Sequence, residues 1–327
     1  MLLALLLASV TVAAGLGSEH YPPATVWRAL WHGPNGTAPE DIILWSLRLP
    51  RLLLAALVGA ALAAAGVAFQ SLLRNDLADP YIVGVSAGAS VGAEAALLRA
   101  GGAMWLGGLG VPLAAFVSAL AAMTVVYALA RRGGRVLVTS LLLAGVVVSA
   151  FLGGVSTLML QLGPPQDAMH VLGRLLGSLQ DATLAQGGVL AAFLAVGLLV
   201  LLVEARSMNL FALGEESAQQ LGVETERFKT VLIVTGSLLT AATVAFAGII
   251  GFVGLMVPHI ARRLAGTPDA RRVLPLAALG GALLMVWADT LARSVMPDGR
   301  ELPVGIITAF LGAPFFCYLL RRQSRMA

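Results

Sequence analysis

Apolar runs of membrane-spanning length recur ten times along this chain, and no other feature limits its fold as strongly. They fall at roughly 1–17, 51–73, 81–99, 109–130, 136–160, 187–204, 230–250, 251–264, 273–295 and 304–320. Hydrocarbon offers backbone N–H and C=O groups no water, so a chain that crosses it repeatedly must be all helix or a closed barrel. Runs of this length suit helices of about 20 residues, not tilted strands of about 10. Ten such helices occupy roughly 200 residues, and the chain has 327. That leaves no room for a soluble catalytic or nucleotide-binding domain. Composition agrees: 58% of residues are hydrophobic and 12% charged, where a soluble domain has about a quarter charged. Mean hydropathy is +0.89. The sequence therefore predicts an all-α integral membrane protein, one transmembrane domain over 1–327. The eighth run is short and broken by Pro258, and the first barely spans. A signal-peptide reading of 1–17 conflicts with the absence of Lys or Arg before Arg28, which favours a retained first helix. Small-residue motifs such as Gly59-Ala60-Ala61-Leu62-Ala63 and Gly280-Gly281-Ala282 suit helices whose backbones approach closely.

Charge orients the chain. With the N-terminus inside, the inner loops and tail hold Arg74, Arg131, Arg132, Arg135, Arg206, Arg227, Lys229, Arg262, Arg263, Arg271, Arg272, Arg321, Arg322 and Arg325. That is 14 of 21 basic residues. This is the positive-inside pattern, and it places both termini in the cytoplasm of a bacterial or archaeal inner membrane. On the outer side, 18–50 carries Trp27, Trp31 and Trp45 among Pro and Gly, an interfacial segment with short helices and aromatic anchors. On the inner side, the loop 205–229 holds Glu215-Glu216-Ser217-Ala218-Gln219-Gln220 between Leu213 and Leu221, a short amphipathic helix bounded by Gly214 and Gly222.

Several chemistries are excluded. A phosphate-cradling loop ends in Gly-Lys-Ser/Thr, and the single lysine, Lys229, follows Phe228. One cysteine, Cys317, allows no disulfide framework or multi-cysteine metal site. Histidines at 20, 32, 170 and 259 show no metal-ligand spacing, and His259, beside Arg262 and Arg263, reads as structural. No Ser/His/Asp set supports a membrane-embedded hydrolase, so no catalytic residue is assigned.

Four blocks then stand out. They are Arg48-Leu49-Pro50-Arg51 with Arg74-Asn75-Asp76-Leu77-Ala78-Asp79-Pro80; Leu213-Gly214-Glu215-Glu216 through Leu221-Gly222-Val223; Gly251-Phe252-Val253-Gly254-Leu255-Met256-Val257-Pro258-His259-Ile260-Ala261-Arg262-Arg263; and Ala288-Asp289-Thr290-Leu291-Ala292-Arg293 leading to Glu301-Leu302-Pro303-Val304-Gly305 and on through Gly312-Ala313-Pro314. In order and spacing they resemble the permease subunits of bacterial ABC importers for iron–siderophore complexes, haem and vitamin B12, over nearly the whole stretch from Arg48 to Leu320.

The resemblance implies a ten-helix permease acting as a homodimer, with two cytoplasmic ATPase subunits and one extracytoplasmic substrate-binding protein. ATP and Mg would be bound by the ATPase partners; no cofactor, metal or nucleic acid is expected on this chain. It implies that Leu213, Gly214, Glu215, Glu216, Ala218, Leu221 and Gly222 form the loop that couples to the ATPase. A short helix of this kind can seat a Leu in a partner groove while its carboxylates pair at the rim; a solvated connector is the plainer alternative. Arg48, Arg51 and Arg293 fall on the outer side, where exposed guanidinium groups could receive carboxylates of the binding protein or anchor lipid headgroups. Thr139 and Ser140 resemble the family's cytoplasmic gate, although hydroxyl residues at a helix start are also ordinary caps.

Three residues are candidates for the pathway. Glu94 sits about 20 Å from the inner end of the third span, taking 1.5 Å per residue. An intramembrane carboxylate there tunes selectivity or snorkels outward. Met169 and His170, in an outer segment, could ligate haem iron transiently. A secondary transporter driven by an ion gradient is the alternative from a different class; it requires ionisable groups near the midplane and gives the long inner loop no purpose. The substrate writes no motif: ferric siderophore or haem is favoured, with cobalamin as the alternative.

Overall fold

The computed structural model describes residues 2–17, 20–34, 36, 38–99, 109–163, 173, 176–296 and 301–323. The regular structure of the described residues is helical apart from one hairpin of two-residue strands. In order it forms α1 (Leu2–Gly15), α2 (Pro23–His32), α3 (Pro39–Ile43), a π-helical turn (Leu44–Arg48), α4 (Leu49–Leu73), a 3-10 turn (Pro80–Val83), α5 (Val85–Arg99) and α6 (Gly110–Ala130). Strands β1 (Arg131–Arg132) and β2 (Arg135–Val136) lead to α7 (Val138–Leu162). There follow α8 (Leu184–Val203), α9 (Ala205–Phe211), α10 (Glu215–Gln220), α11 (Thr225–Ala247), α12 (Val253–Ala265), α13 (Ala270–Ser294) and α14 (Val304–Gln323).

Among the described residues, six helices are long and apolar enough to cross a membrane: Pro39–Leu73 taken as one unit, α6, α7, α8, α11 and α13. α1, α5 and α14 are apolar but contribute shorter apolar stretches. The eighth sequence segment forms α12, whose 13 residues reach only about 20 Å at 1.5 Å per residue, short of the roughly 30 Å hydrocarbon layer. It packs against α4 and α13. The connector 248–252 between α11 and α12 turns at Gly248 (φ 71°) and Phe252 (φ 68°), both with positive φ. Phe252 carries a side chain in that strained region, and the bare Cα of Gly312 lies against it: a Cβ there would stand 2.2 Å from Phe252 Cβ.

α4 is the core of the bundle. Its best apolar window is 83% buried, as expected of a helix made of Ala, Leu, Gly and Val with no polar stripe. Its small residues admit two backbone crossings. Gly59 meets Gly281 of α13, and Gly66 meets Gly254 of α12, each so closely that a Cβ would fall about 2 Å from the facing carbonyl oxygen. The first crossing joins two of the small-residue motifs singled out in the sequence, and close approach of this kind is how helices gain dispersion contact where lipid removes the hydrophobic drive between them. Near the basic end, Gln70 Nε2 donates to the Leu255 carbonyl at 3.2 Å, and Arg262 Nη1 donates to Gln70 Oε1 at 2.7 Å and pairs with Asp76 at 3.1 Å.

Candidate functional site

At the end that carries Arg131, Arg132, Arg135 and Arg262, the segment after α8 builds a platform. α10 begins and ends where the two glycines require it: Gly214 has φ 121° and Gly222 φ 89°, values that suit a residue with no Cβ. Of the predicted coupling residues, Ala218 is fully buried beneath the helix, while Leu213 (66% exposed) and Leu221 (56% exposed) project outward. Leu221 borders a mainly polar cleft of ≈ 390 Å³ lined by Glu204, Arg206, Glu224 and Arg227 together with Leu210 and Phe228. α9 ties this platform to the bundle: Asn209 Nδ2 donates to Asp269 Oδ1 at 2.6 Å, and Asn209 Oδ1 accepts from the Ala270 N–H at 2.8 Å.

Sequence reasoning passed over the group that organises this end. Lys229 is 2% exposed. Its Nζ donates to Glu215 Oε1 at 2.8 Å and to the Val136 carbonyl at 2.8 Å, and pairs with Glu226 Oε1 at 2.5 Å. The signal was available: a lone lysine among twenty arginines, three residues after Glu226.

Thr139 and Ser140 lie in the first turn of α7, Thr139 exposed and Ser140 half-buried. Neither hydroxyl caps the helix, since Leu137 holds the N-cap position and no side chain bonds there. The ordinary-cap alternative therefore fails, and an exposed hydroxyl remains at the mouth of α7.

At the opposite end the three predicted arginines come together, but not as exposed groups. Arg48 and Arg51 are 6% and 8% exposed. Arg48 Nη1 donates to the Ala14 carbonyl at 2.6 Å, and its guanidinium lies 4.9 Å from the centre of the Tyr21 ring. Arg51 Nε donates to both Asp289 oxygens, at 2.9 and 3.1 Å, and Nη1 donates to Glu301 Oε2 at 2.6 Å. Arg293 Nε lies 3.2 Å from Asp289 Oδ2, and its terminal nitrogens reach the Leu16 and Ala13 carbonyls at 3.4 Å. The expectation of free guanidinium groups is corrected here. The physical reason is twofold: a buried cation needs a carboxylate, which Asp289 and Glu301 supply, and the last turn of α1 offers unsatisfied carbonyls at the negative end of its dipole. The i,i+4 spacing of Asp289 and Arg293 marked half of this cluster in advance. Within it only Glu301, with 30% of its side chain exposed, opens outward to a useful degree.

Glu94 does not snorkel. It is 0% exposed, and Ser156 Oγ of α7 donates to its Oε1; its Oε2 has no hydrogen-bond partner among the described residues. Met169 and His170 lie outside the described residues. His259 packs edge-on to Phe315, ring centres 6.0 Å apart, as a structural residue would. No cluster of three or more metal-ligating side chains occurs among the described residues.

Comparison with known proteins matches this geometry to a lineage. The chain is 45% identical over 310 residues to the cobalamin import system permease BtuC of Halobacterium salinarum, covering 94% of this chain and 81% of that one. It is 37% identical over 314 residues to the hemin transport system permease HmuU of Yersinia pestis, covering 95% and 93%. Among solved structures, one described as an inward-facing conformation of a metal-chelate type ABC transporter superposes with TM-score 0.84 at 27% identity, over 98% of this chain and 97% of that one. A family description matches residues 4–322, so the chain belongs to the FecCD transport family and is a transport permease, not an enzyme.

Proposed function

We propose that this chain is the membrane-spanning subunit of an ATP-driven importer for an iron chelate, a ferric siderophore or haem, working as a homodimer with two cytoplasmic ATPase subunits and a substrate-binding protein. The observation that carries the reading is the superposition over nearly the whole chain on a metal-chelate type ABC transporter, with a haem permease among its relatives. The basic end, with Arg131, Arg132, Arg135, Arg262 and Arg263, faces the cytoplasm under the positive-inside rule. There Leu213 and Leu221 seat in grooves of the ATPase, and ATP with Mg binds to that partner. The ion-gradient alternative has lost its support, since membership in this family accounts for the inner platform.

At the outer end, carboxylates of the binding protein approach Arg48, Arg51 and Arg293. The burial of these groups adds a condition: an incoming carboxylate must displace Glu301 from Arg51, because Asp289 is sealed at 0% exposure. Thr139 and Ser140 narrow the cytoplasmic end of the pathway. A second reading, cobalamin as cargo, is favoured by the 45% identity to a cobalamin permease.

Reconstitution of the full complex in proteoliposomes tests the cargo: ATP-dependent uptake of iron-55 ferric hydroxamate or of haem supports the first reading, and uptake of labelled cobalamin alone supports the second. For the coupling assignment, Leu213→Asp or Leu221→Asp places a carboxylate at an apolar anchor and abolishes copurification with the ATPase. Wild-type copurification of both variants removes the assignment.

A further inference from the structure

The buried ammonium of Lys229 joins the candidate coupling helix to the helix that carries the candidate gate. Its three contacts come from three separate elements: Glu215 of α10, Glu226 at the start of α11 and the Val136 carbonyl of β2. Glu226 closes the ring, because its Oε2 accepts the Val136 N–H at 2.7 Å. Both backbone polar groups of Val136 are therefore clamped to one ion pair. Val136 lies two residues before α7 begins. Behind it, Gly133 (φ 57°) and Gly134 (φ 82°) make the two-residue turn of a tight hairpin.

A compact ammonium suits this place better than a guanidinium. It offers three donors that can diverge to three acceptors, whereas a planar fork matches acceptors lying in one plane. That gives a physical account of why the only lysine of the chain stands here. Lys229 is 2% exposed, whereas Glu215 and Glu226 keep 43% and 34% of their side chains exposed, so it is the ammonium that would be stranded away from water if the contacts parted. When Glu215 moves with the coupling helix, the ammonium follows it or is left short of a partner in the interior. Following it displaces Val136 and, two residues on, the first turn of α7 with Thr139 and Ser140.

We propose that Lys229 is a positioning residue that transmits displacement of α10 to the cytoplasmic mouth of α7. The proposal rests on the reading of α10 as the ATPase contact and of Thr139 as a gate residue. A pin that serves stability alone would hold the same contacts but would carry no nucleotide-dependent signal, and this difference is measurable.

Because Cys317 is the only cysteine, the variant Cys317→Ser with Thr139→Cys carries one reporter thiol at the gate. Its rate of labelling by fluorescein maleimide is measured in the copurified complex with ATPase, without nucleotide and with ATP plus vanadate. The two rates are expected to differ by at least ~5-fold, the lower range of ordinary coupling between sites. Adding Lys229→Met, or the milder Glu226→Gln, brings them within about 2-fold of each other, because an amide cannot accept from both Lys229 and Val136 as the carboxylate does. Should Lys229→Met fail to fold, Glu226→Gln, which keeps the ammonium and Glu215, decides. If the variants retain the parent's nucleotide response, Lys229 transmits nothing and the proposal is overturned. A parent that copurifies but shows no nucleotide response overturns the gate assignment and the proposal with it. A parent that does not copurify overturns the coupling reading beneath both.

Discussion

Replacing Gly59 with alanine tests the packing on which the bundle depends. A Cβ at Gly59 stands 2.0 Å from the Gly281 carbonyl oxygen and 2.7 Å from Met285 Cγ, and ordinary contact begins at 3.4 Å. The shortfall against the oxygen is about 1.4 Å. That oxygen belongs to helical backbone and cannot rotate aside, so α4 and α13 must part along their seam. Overpacking of this kind costs ~1–3 kcal/mol, and a backbone obstacle places it in the upper half of that range. Against it stands a gain of about 1 kcal/mol in helix propensity for Ala over Gly. The net expectation is destabilisation by roughly 1–2 kcal/mol, a factor of about 5–30 in the folded ratio. The assay is unfolding by SDS titration in mixed micelles, with Gly188→Ala as the control. Gly188 is exposed on α8 and has nothing within 4 Å of its Cβ position, so alanine there is neutral or stabilising by up to about 1 kcal/mol. A Gly59→Ala protein as stable as the Gly188→Ala control would falsify the tight crossing, since it would mean that the helices separate at no cost.

Two further predictions concern charge. Asp289→Asn leaves Arg293 without its carboxylate and Arg51 with Glu301 alone, and is expected to cost ~3–5 kcal/mol in the same titration, as breaking a buried pair does; Glu301→Gln, at the partly exposed edge of the cluster, should cost about 1 kcal/mol or less. At the α13 N-terminus, hydrogen bonds from Asn209 and the Arg271 N–H hold the Asp269 carboxyl below its ordinary value of 3.8. A group depressed on folding stabilises the fold above its unfolded pKa and loses that contribution as pH falls through the folded one. Stability should therefore drop as pH is lowered below about 4, and Asp269→Asn should flatten that limb of the profile; an unchanged limb would show that Asp269 contributes nothing to it.

How much of this was legible in the chain depends on the range of the interaction. The helical class and the short helix between Gly214 and Gly222 follow from local pattern, because backbone satisfaction in lipid and left-handed glycine are decided within a few residues. The motif blocks were enough to suggest the family, and the comparison over 4–322 agrees. The fate of individual charges was not legible. Arg51 lies 238 residues from Asp289, and Lys229 lies 93 from Val136. No periodicity links such positions; only the packing of α4 on α13, and of α11 beside the β-hairpin, brings them within hydrogen-bond reach. The eighth run, short already in the sequence, is the 13-residue α12, flanked by positive-φ residues Phe252 and Gly266.

The sequence by itself determined that this chain lies in the membrane as helices, that it carries no phosphate-binding loop of its own and which end is basic, because each of these is set by composition or by neighbours a turn apart. Tertiary structure decided that Arg51 is a buried partner of Asp289 and Glu301, that Arg48 turns to the Ala14 carbonyl, and that the one lysine joins three elements at the basic end. A charge in a low dielectric takes whatever counter-charge the fold delivers to it, and that delivery is a property of the assembled bundle.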